Sequence, residues 1–231
     1  MPRITRVFSL VILCFAALDS AAVQAAGAVT RSKNFAAGPI ASISLKAAVG
    51  GVRIEQGRSD DIEVSVVLEA KRNTGVFSAL PDVSKLEITA ITRGDELSLE
   101  VDAKNIKEQW LVRLPKKSFS AIEVTLGVGD VSVSVPAGRF DIDVGVGDAT
   151  LEIPSGAIAV TVGTGDARIQ TKLADAGAIK GKTGVGSVEM TGIKGTVKSS
   201  TVGGSVTGQG QGKQPIEATV GVGDLSLTLI E

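Results

Sequence analysis

Four aspartates share one local setting, at the end of a Gly-x-Gly-Asp string: Asp130, Asp148, Asp166 and Asp224. A regular series of carboxylates beside glycine turns is the raw material of a calcium β-roll, in which hard oxygen ligands recur at a fixed period. The calcium nonapeptide places its aspartate two residues after the nearest glycine, whereas here it follows immediately. Ser187 and Ser205 also stand where the aspartate would be in two further copies. The metal reading is therefore the minor one, and no metal or other cofactor is expected. The expected role of each aspartate is to cap its own glycine corner by accepting a backbone N–H, which serine does more weakly.

The same strings raise a phosphate-loop reading, which needs a helix N-terminus directly after the glycines. Val131-Ser132-Val133 and Ala149-Thr150-Leu151 follow instead, and these alternate like strands. Acid–base chemistry on a polysaccharide would need paired carboxylates and aromatic platforms. Asp141 with Asp143, and Glu87 with Glu100, read as outward positions on strands. Trp110 is the one tryptophan, more simply explained as core or cap than as a sugar platform. The chain has no histidine, which excludes Ser-His-Asp and Cys-His nucleophilic sites and His-ligated zinc or haem. No catalytic residue is assigned, and the protein is read as a non-enzyme. Lys and Arg total 24 against 25 Asp and Glu, a balance that does not suit a nucleic-acid binder.

The elements that carry these residues repeat. Taking the second glycine of each string or its relative, the markers fall at 129, 147, 165, 186, 204 and 223, giving steps of 18, 18, 21, 18 and 19. Val49-Gly50-Gly51-Val52 is an earlier copy. Before the corner at 147, Phe140, Ile142, Val144 and Val146 alternate with polar or small residues; after it, Ala149, Leu151 and Ile153 do. The one-residue phase slip keeps a single apolar side facing inward through a bulge or corner. Pro136-Ala137-Gly138 and Pro154-Ser155-Gly156 supply the second turn of each unit.

A unit of 18–21 residues is too short for a βαβ crossover, which needs about 30. The constant step predicts an all-β fold, a single-stranded β-solenoid of β-helix or β-roll type, with coils stacked about 4.8 Å apart. Helical fragments are expected only as a turn within 71–80 and another around 105–109. Strands are expected at Ile62–Val66, Leu86–Ile88, Leu97–Val101 and Leu111–Pro115, interrupted by a loop over 71–85. The glycine-rich stretch 177–212 reads as a narrow coil with a thin core, in preference to a linker.

The N-terminus reads as an address. Arg3 and Arg6 precede an apolar run over 7–18, and Val23 and Ala25 provide small residues at the −3 and −1 positions. This predicts a signal peptide over 1–25 cleaved after Ala25. The run of twelve is short of the roughly 20 residues a membrane span requires. Cys14, the sole cysteine, lies inside it, so the mature chain has no thiol. Removal of Arg3, Arg6 and Asp19 leaves 22 positive and 24 negative residues. Residues 26–37 read as a lead-in and 38–231 as one domain, periplasmic or secreted, with no transmembrane span after cleavage.

Certain strings carry a family resemblance: Ile43-Ser44-Leu45 through Gly50-Gly51-Val52-Arg53-Ile54, then Leu97-Ser98-Leu99-Glu100-Val101, Val112-Arg113-Leu114-Pro115 and the serial Gly-x-Gly-Asp coils. Together they resemble the bacterial putative-adhesin families of unknown function, adhesin-like domains related to the "head GIN" proteins. The resemblance covers nearly all of 38–231. It implies a β-solenoid in an exported envelope protein, with no catalytic signature to carry over. The partner is unknown, an envelope protein or a surface glycan being the candidates, and the alternative functions are a calcium-binding β-roll and a carbohydrate-active β-helix enzyme.

Overall fold

The computed structural model describes residues 28–71, 81–154, 156–171, 178–193, 196–201, 206–207 and 215–229. The expected signal peptide lies outside them, as does the expected turn within 71–80 apart from Lys71. Among the described residues the only helical element is one 3-10 turn, Val83–Lys85, started by Asp82 accepting the N–H of Ser84 at 3.0 Å. No helix there is long and apolar enough to cross a membrane.

The strands, in chain order, are β1 (Ala28–Ala36), β2 (Ser42–Gln56), β3 (Asp61–Ala70), β4 (Thr89–Arg93), β5 (Glu96–Glu100), β6 (Ile106–Leu114) and β7 (Phe119–Ser134). Shorter ones follow in pairs about each glycine corner: β8 (Ala137–Val146) with β9 (Ala149–Ile153), β10 (Ala157–Thr164) with β11 (Ala167–Thr171), and β12 (Ile179–Val185) with β13 (Val188–Ile193). Two more pairs are β14 (Thr196–Thr201) with β15 (Val206–Thr207), and β16 (Pro215–Val222) with β17 (Leu225–Leu229). In β2 and β7 one strand runs through the corner, so each is a whole coil.

The pairing makes two faces joined along the corners. One face runs β4-β5-β2-β7-β8-β10-β12-β16-β14, using the first halves of β2 and β7. The other runs β1-β3-β6-β2-β7-β9-β11-β13-β17-β15, using their second halves. From β5 and β6 onward all pairing is parallel, as expected of stacked coils. At the start of the stack β4 pairs antiparallel to β5, and β1 and β3 pair antiparallel outside β6. Residues 28–36 are thus a sheet strand.

Period-two alternation fills the space between the faces with pillars of side chains, one per coil. Ile43, Ile122, Phe140, Ile158, Ile179 and Ile216 stack in register on the first face. Ile54, Val133, Leu151, Ile169, Met190 and Leu227 stack on the second. All twelve are buried and belong to one continuous apolar core. A fully buried aliphatic side chain contributes about 2 kcal/mol, so the repeated pillar is what holds coil on coil. In the glycine-rich part, most of whose side chains lie outside the described residues, Gly181 leaves room that the Met190 side chain occupies.

Three expectations are corrected. Residues 106–109 are not helical but open β6, because Ile106, Glu108 and Trp110 all point inward at strand period. Leu86–Ile88 is not a regular strand; it crosses above β1, where Arg31 Nε and Lys33 Nζ donate to the carbonyls of Leu86 and Ile88 at 2.8 and 2.7 Å. The coils do not stack strictly in chain order. β16 lies between β12 and β14, and β17 between β13 and β15, so the last coil is inserted beneath the one before it.

Candidate functional site

The corner edge brings the sequence-predicted residues together. Gly147 has φ +132°, a region open to glycine alone at little cost, and a Cβ there would overlap the carbonyl oxygen of Gly129 in the preceding coil. The same geometry recurs at Gly50, Gly129, Gly165, Gly186 and Gly223, and it lets successive corners sit directly on each other. Backbone bonds continue through the edge: Gly147 N donates to Thr164 O at 2.9 Å, Gly165 N to Val185 O at 2.8 Å and Gly186 N to Val222 O at 2.8 Å.

Asp130, Asp148 and Asp166 form the expected column, but their hydrogen bonds differ from the expected ones. Oδ1 of Asp130 accepts from the N–H of Asp148 at 3.1 Å, that of Asp148 from Asp166 at 2.9 Å, and that of Asp166 from Ser187 at 2.9 Å. Each carboxylate therefore caps the next corner, not its own. The corner backbone points its N–H along the stack, where the nearest acceptor is the preceding coil's side chain. Asp224 follows Ser187 in register, because the inserted last coil places Val188 N 3.0 Å from Asp224 O. Asp166 also faces Arg168 at 3.5 Å. Among the described residues no group of three or more His, Cys, Asp or Glu is placed to hold a metal ion.

Strand period places the residue before each corner glycine on the inward side, continuing the alternation of Val144 and Leu126. The structure exposes it. Val128, Val146, Val185 and Val222 are 47–56% exposed, and they are four of the five exposed large apolar residues described. They form one column with half-buried Val49 and with Thr164, in the order Val49, Val128, Val146, Thr164, Val185, Val222. The positive-φ glycine that follows turns the chain, so this position lies on the edge and not between the two faces. The signal was in the sequence, as a valine between two glycines at each coil, but period two alone assigns it to the core.

At the start of the edge lies a buried acid that the sequence did not single out. Glu108 is 1% exposed and in register with Gly50. Its Oε2 accepts the indole N–H of Trp110 at 2.7 Å and its Oε1 the N–H of Ala48 at 3.3 Å. β5 ends at Glu100 opposite Lys46, so Ala48 has no strand neighbour on that side and the carboxylate stands in for one. Burial pushes the Glu108 carboxyl above its ordinary value, while the Trp110 and Ala48 hydrogen bonds pull it back. Trp110 is buried, so it is no sugar platform.

The other carboxylate candidates do not converge. Asp141 pairs with Arg139 at 2.8 Å on the outer face of β8, beside exposed Asp143. Glu87 pairs with Arg31 at 3.0 Å, and Glu100 lies on β5. A groove of about 750 Å³ is lined by Glu55, Gln56, Gly57, Arg58, Glu63, Arg113 and Ser134. It is open and charge-balanced, with Arg113 held to Glu55 at 3.0 Å.

A solved protein shares the architecture. The chain resembles a solved "putative cell adhesion protein" from Clostridium sporogenes, 14% identical, covering 88% of this chain and all of that one with a TM-score of 0.54. It also resembles a solved "putative adhesin" from Bacteroides fragilis, 14% identical, covering 87% of this chain and 97% of that one with a TM-score of 0.44. No curated protein matches. At such identities the first likeness speaks for the fold. The family assignment comes from the sequence match, which runs over residues 40–231 and so takes in every glycine corner: the chain belongs to the Toastrack DUF4097 family.

Proposed function

We propose that the protein is an exported, non-enzymatic envelope protein, an adhesin-like module that binds a partner along its corner edge. The observation that carries this reading is the exposed valine column, held on a rigid stack whose corner carboxylates are already engaged by backbone N–H groups. Contiguous exposed apolar surface on a soluble chain marks an interaction site. The adhesion-related names of the structural neighbours agree with a binding role. A calcium β-roll is disfavoured by the occupied Oδ1 atoms, and a carbohydrate-active enzyme by the scattered carboxylates and the buried Trp110.

The deciding experiment is capture from envelope extract by the mature protein, run beside whole-cell adhesion. Capture that is lost on replacing Val146 and Val185 by serine supports the reading. Turnover on a polysaccharide panel that vanishes with one carboxylate would overturn the non-enzymatic part. For export, N-terminal sequencing should find the mature chain starting at Ala26, within a residue or two; an intact Met1 in membranes would refute it.

A further inference from the structure

We infer that the partner seated on the valine column is an amphipathic α-helix carrying lysine or arginine along one flank. The inference rests on the binding reading above and adds the partner's chemistry.

The first argument is spacing. The column offers one apolar contact per coil, about every 4.8 Å. A helix presents a/d-type residues every 3.5 residues, or about every 5.3 Å at a rise of about 1.5 Å per residue. A strand laid along the column presents same-side residues about every 6.6 Å. Over the five steps from Val49 to Val222 the helix drifts out of register by roughly 2 Å and the strand by roughly 9 Å.

The second argument is shape. Each valine from Val128 onward, and Thr164 likewise, has glycine on both sides in its own strand. The column therefore stands between two strips without side chains, which a rod about 10 Å across can straddle. Strand addition at the corner is ruled out independently, because the N–H groups of Gly147, Gly165 and Gly186 are already bonded between coils.

The third argument is charge. On one side of the column run Asp130, Asp148, Asp166 and Asp224. Among the described residues neither Asp130 nor Asp148 has an ion-pair partner. The other side carries Lys46, Thr125, Asp143, Thr161, Lys182 and Thr219, two cations against one acid, so the two flanks differ in sign. A helix basic on one flank matches this asymmetry. A second copy does not, since it would bring two acidic columns into one interface with only Lys46 and Lys182 of each copy to offset them.

The test titrates the mature protein with a labelled 18-residue peptide having leucines at a/d spacing, lysines on one flank and alanines elsewhere. Controls are the same peptide with glutamates on that flank, and a peptide of alternating leucine and lysine. Saturable binding of the first peptide is expected, shifting the methyl resonances of Val128, Val146, Val185 and Val222. It should weaken at least tenfold in V146S/V185S and severalfold in D130N/D148N, with melting temperatures confirming that the variants fold. Equal binding of the glutamate or alternating peptide, no binding at all, or self-association through these valines would overturn the inference. If envelope capture still depends on Val146 and Val185 while the lysine peptide fails, the helix is wrong and the site stands. If capture ignores both valines, the site is wrong as well.

Discussion

Asp148 accepts the backbone N–H of Asp166, eighteen residues further on, at 2.9 Å, and so binds its own coil to the next. Stacked carboxylates about 4.8 Å apart repel by roughly 1 kcal/mol in water. The N–H groups aimed at them offset that repulsion.

An asparagine at 148 keeps the acceptor and removes the charge. Asp148→Asn should be neutral or stabilising, whereas Asp148→Ala should cost about 1 kcal/mol by leaving the Asp166 N–H unpaired. Melting temperature in millimolar calcium should equal that in excess chelator. A calcium-dependent rise that disappears in the asparagine variant would show instead that the column binds metal.

Thr183 is buried in the pillar between Val162 and Val220, and its hydroxyl has no hydrogen-bond partner among the described residues. Thr183→Val has nearly the same shape and removes an unpaired polar group. It should stabilise the protein by about 1 kcal/mol, read from chemical denaturation. A loss of stability would reveal a partner for the hydroxyl.

Glu108 and Trp110 report on each other, and Trp110 is the only tryptophan. Because burial raises the Glu108 carboxyl, the folded chain holds its proton to higher pH than the unfolded chain does. The resulting stabilisation is complete below the unfolded value and is lost as pH rises through the folded one. The Trp110 indole N–H resonance should titrate with a midpoint above 4.5, the ordinary value. Glu108→Gln should abolish that titration. It should also cost about 1 kcal/mol at neutral pH, since an amide offers one acceptor where two donors converge.

The inserted last coil places Val185 beside Val222, while Thr164 separates Val185 from Val146. Neighbouring coils lie within the Cα separation a disulfide tolerates, and alternate coils, about 9.6 Å apart, do not. The mature chain has no other thiol if Cys14 is removed with the signal. V185C/V222C should oxidise readily and V146C/V185C should not. Failure of V185C/V222C to oxidise would restore strict chain order to the stack, since another coil would then separate the two positions; V146C/V185C is the alternate-coil control in either order.

Local pattern was enough to determine the coil. The 18-residue step, the phase slip at Gly147 and the inward run of Phe140, Ile142 and Val144 all appear in the structure, because strand period and glycine's access to positive φ are properties of a few adjacent residues. Four features were decided only by the tertiary structure: the coil order, which N–H each corner carboxylate accepts, the exposed valines and the buried Glu108. The coils are near-copies, so local sequence does not say which one a given coil joins. That depends on pillar contacts such as Ile179 with Ile216. Val146 continues the inward alternation, yet it is exposed because the chain turns at Gly147 and leaves it on the edge of the stack. Glu108 carries a charge in sequence, yet it is buried because β5 ends early and leaves the Ala48 N–H for it to accept. In each case the deciding neighbour is distant in the chain and set by how the coils end and stack, which no periodicity encodes.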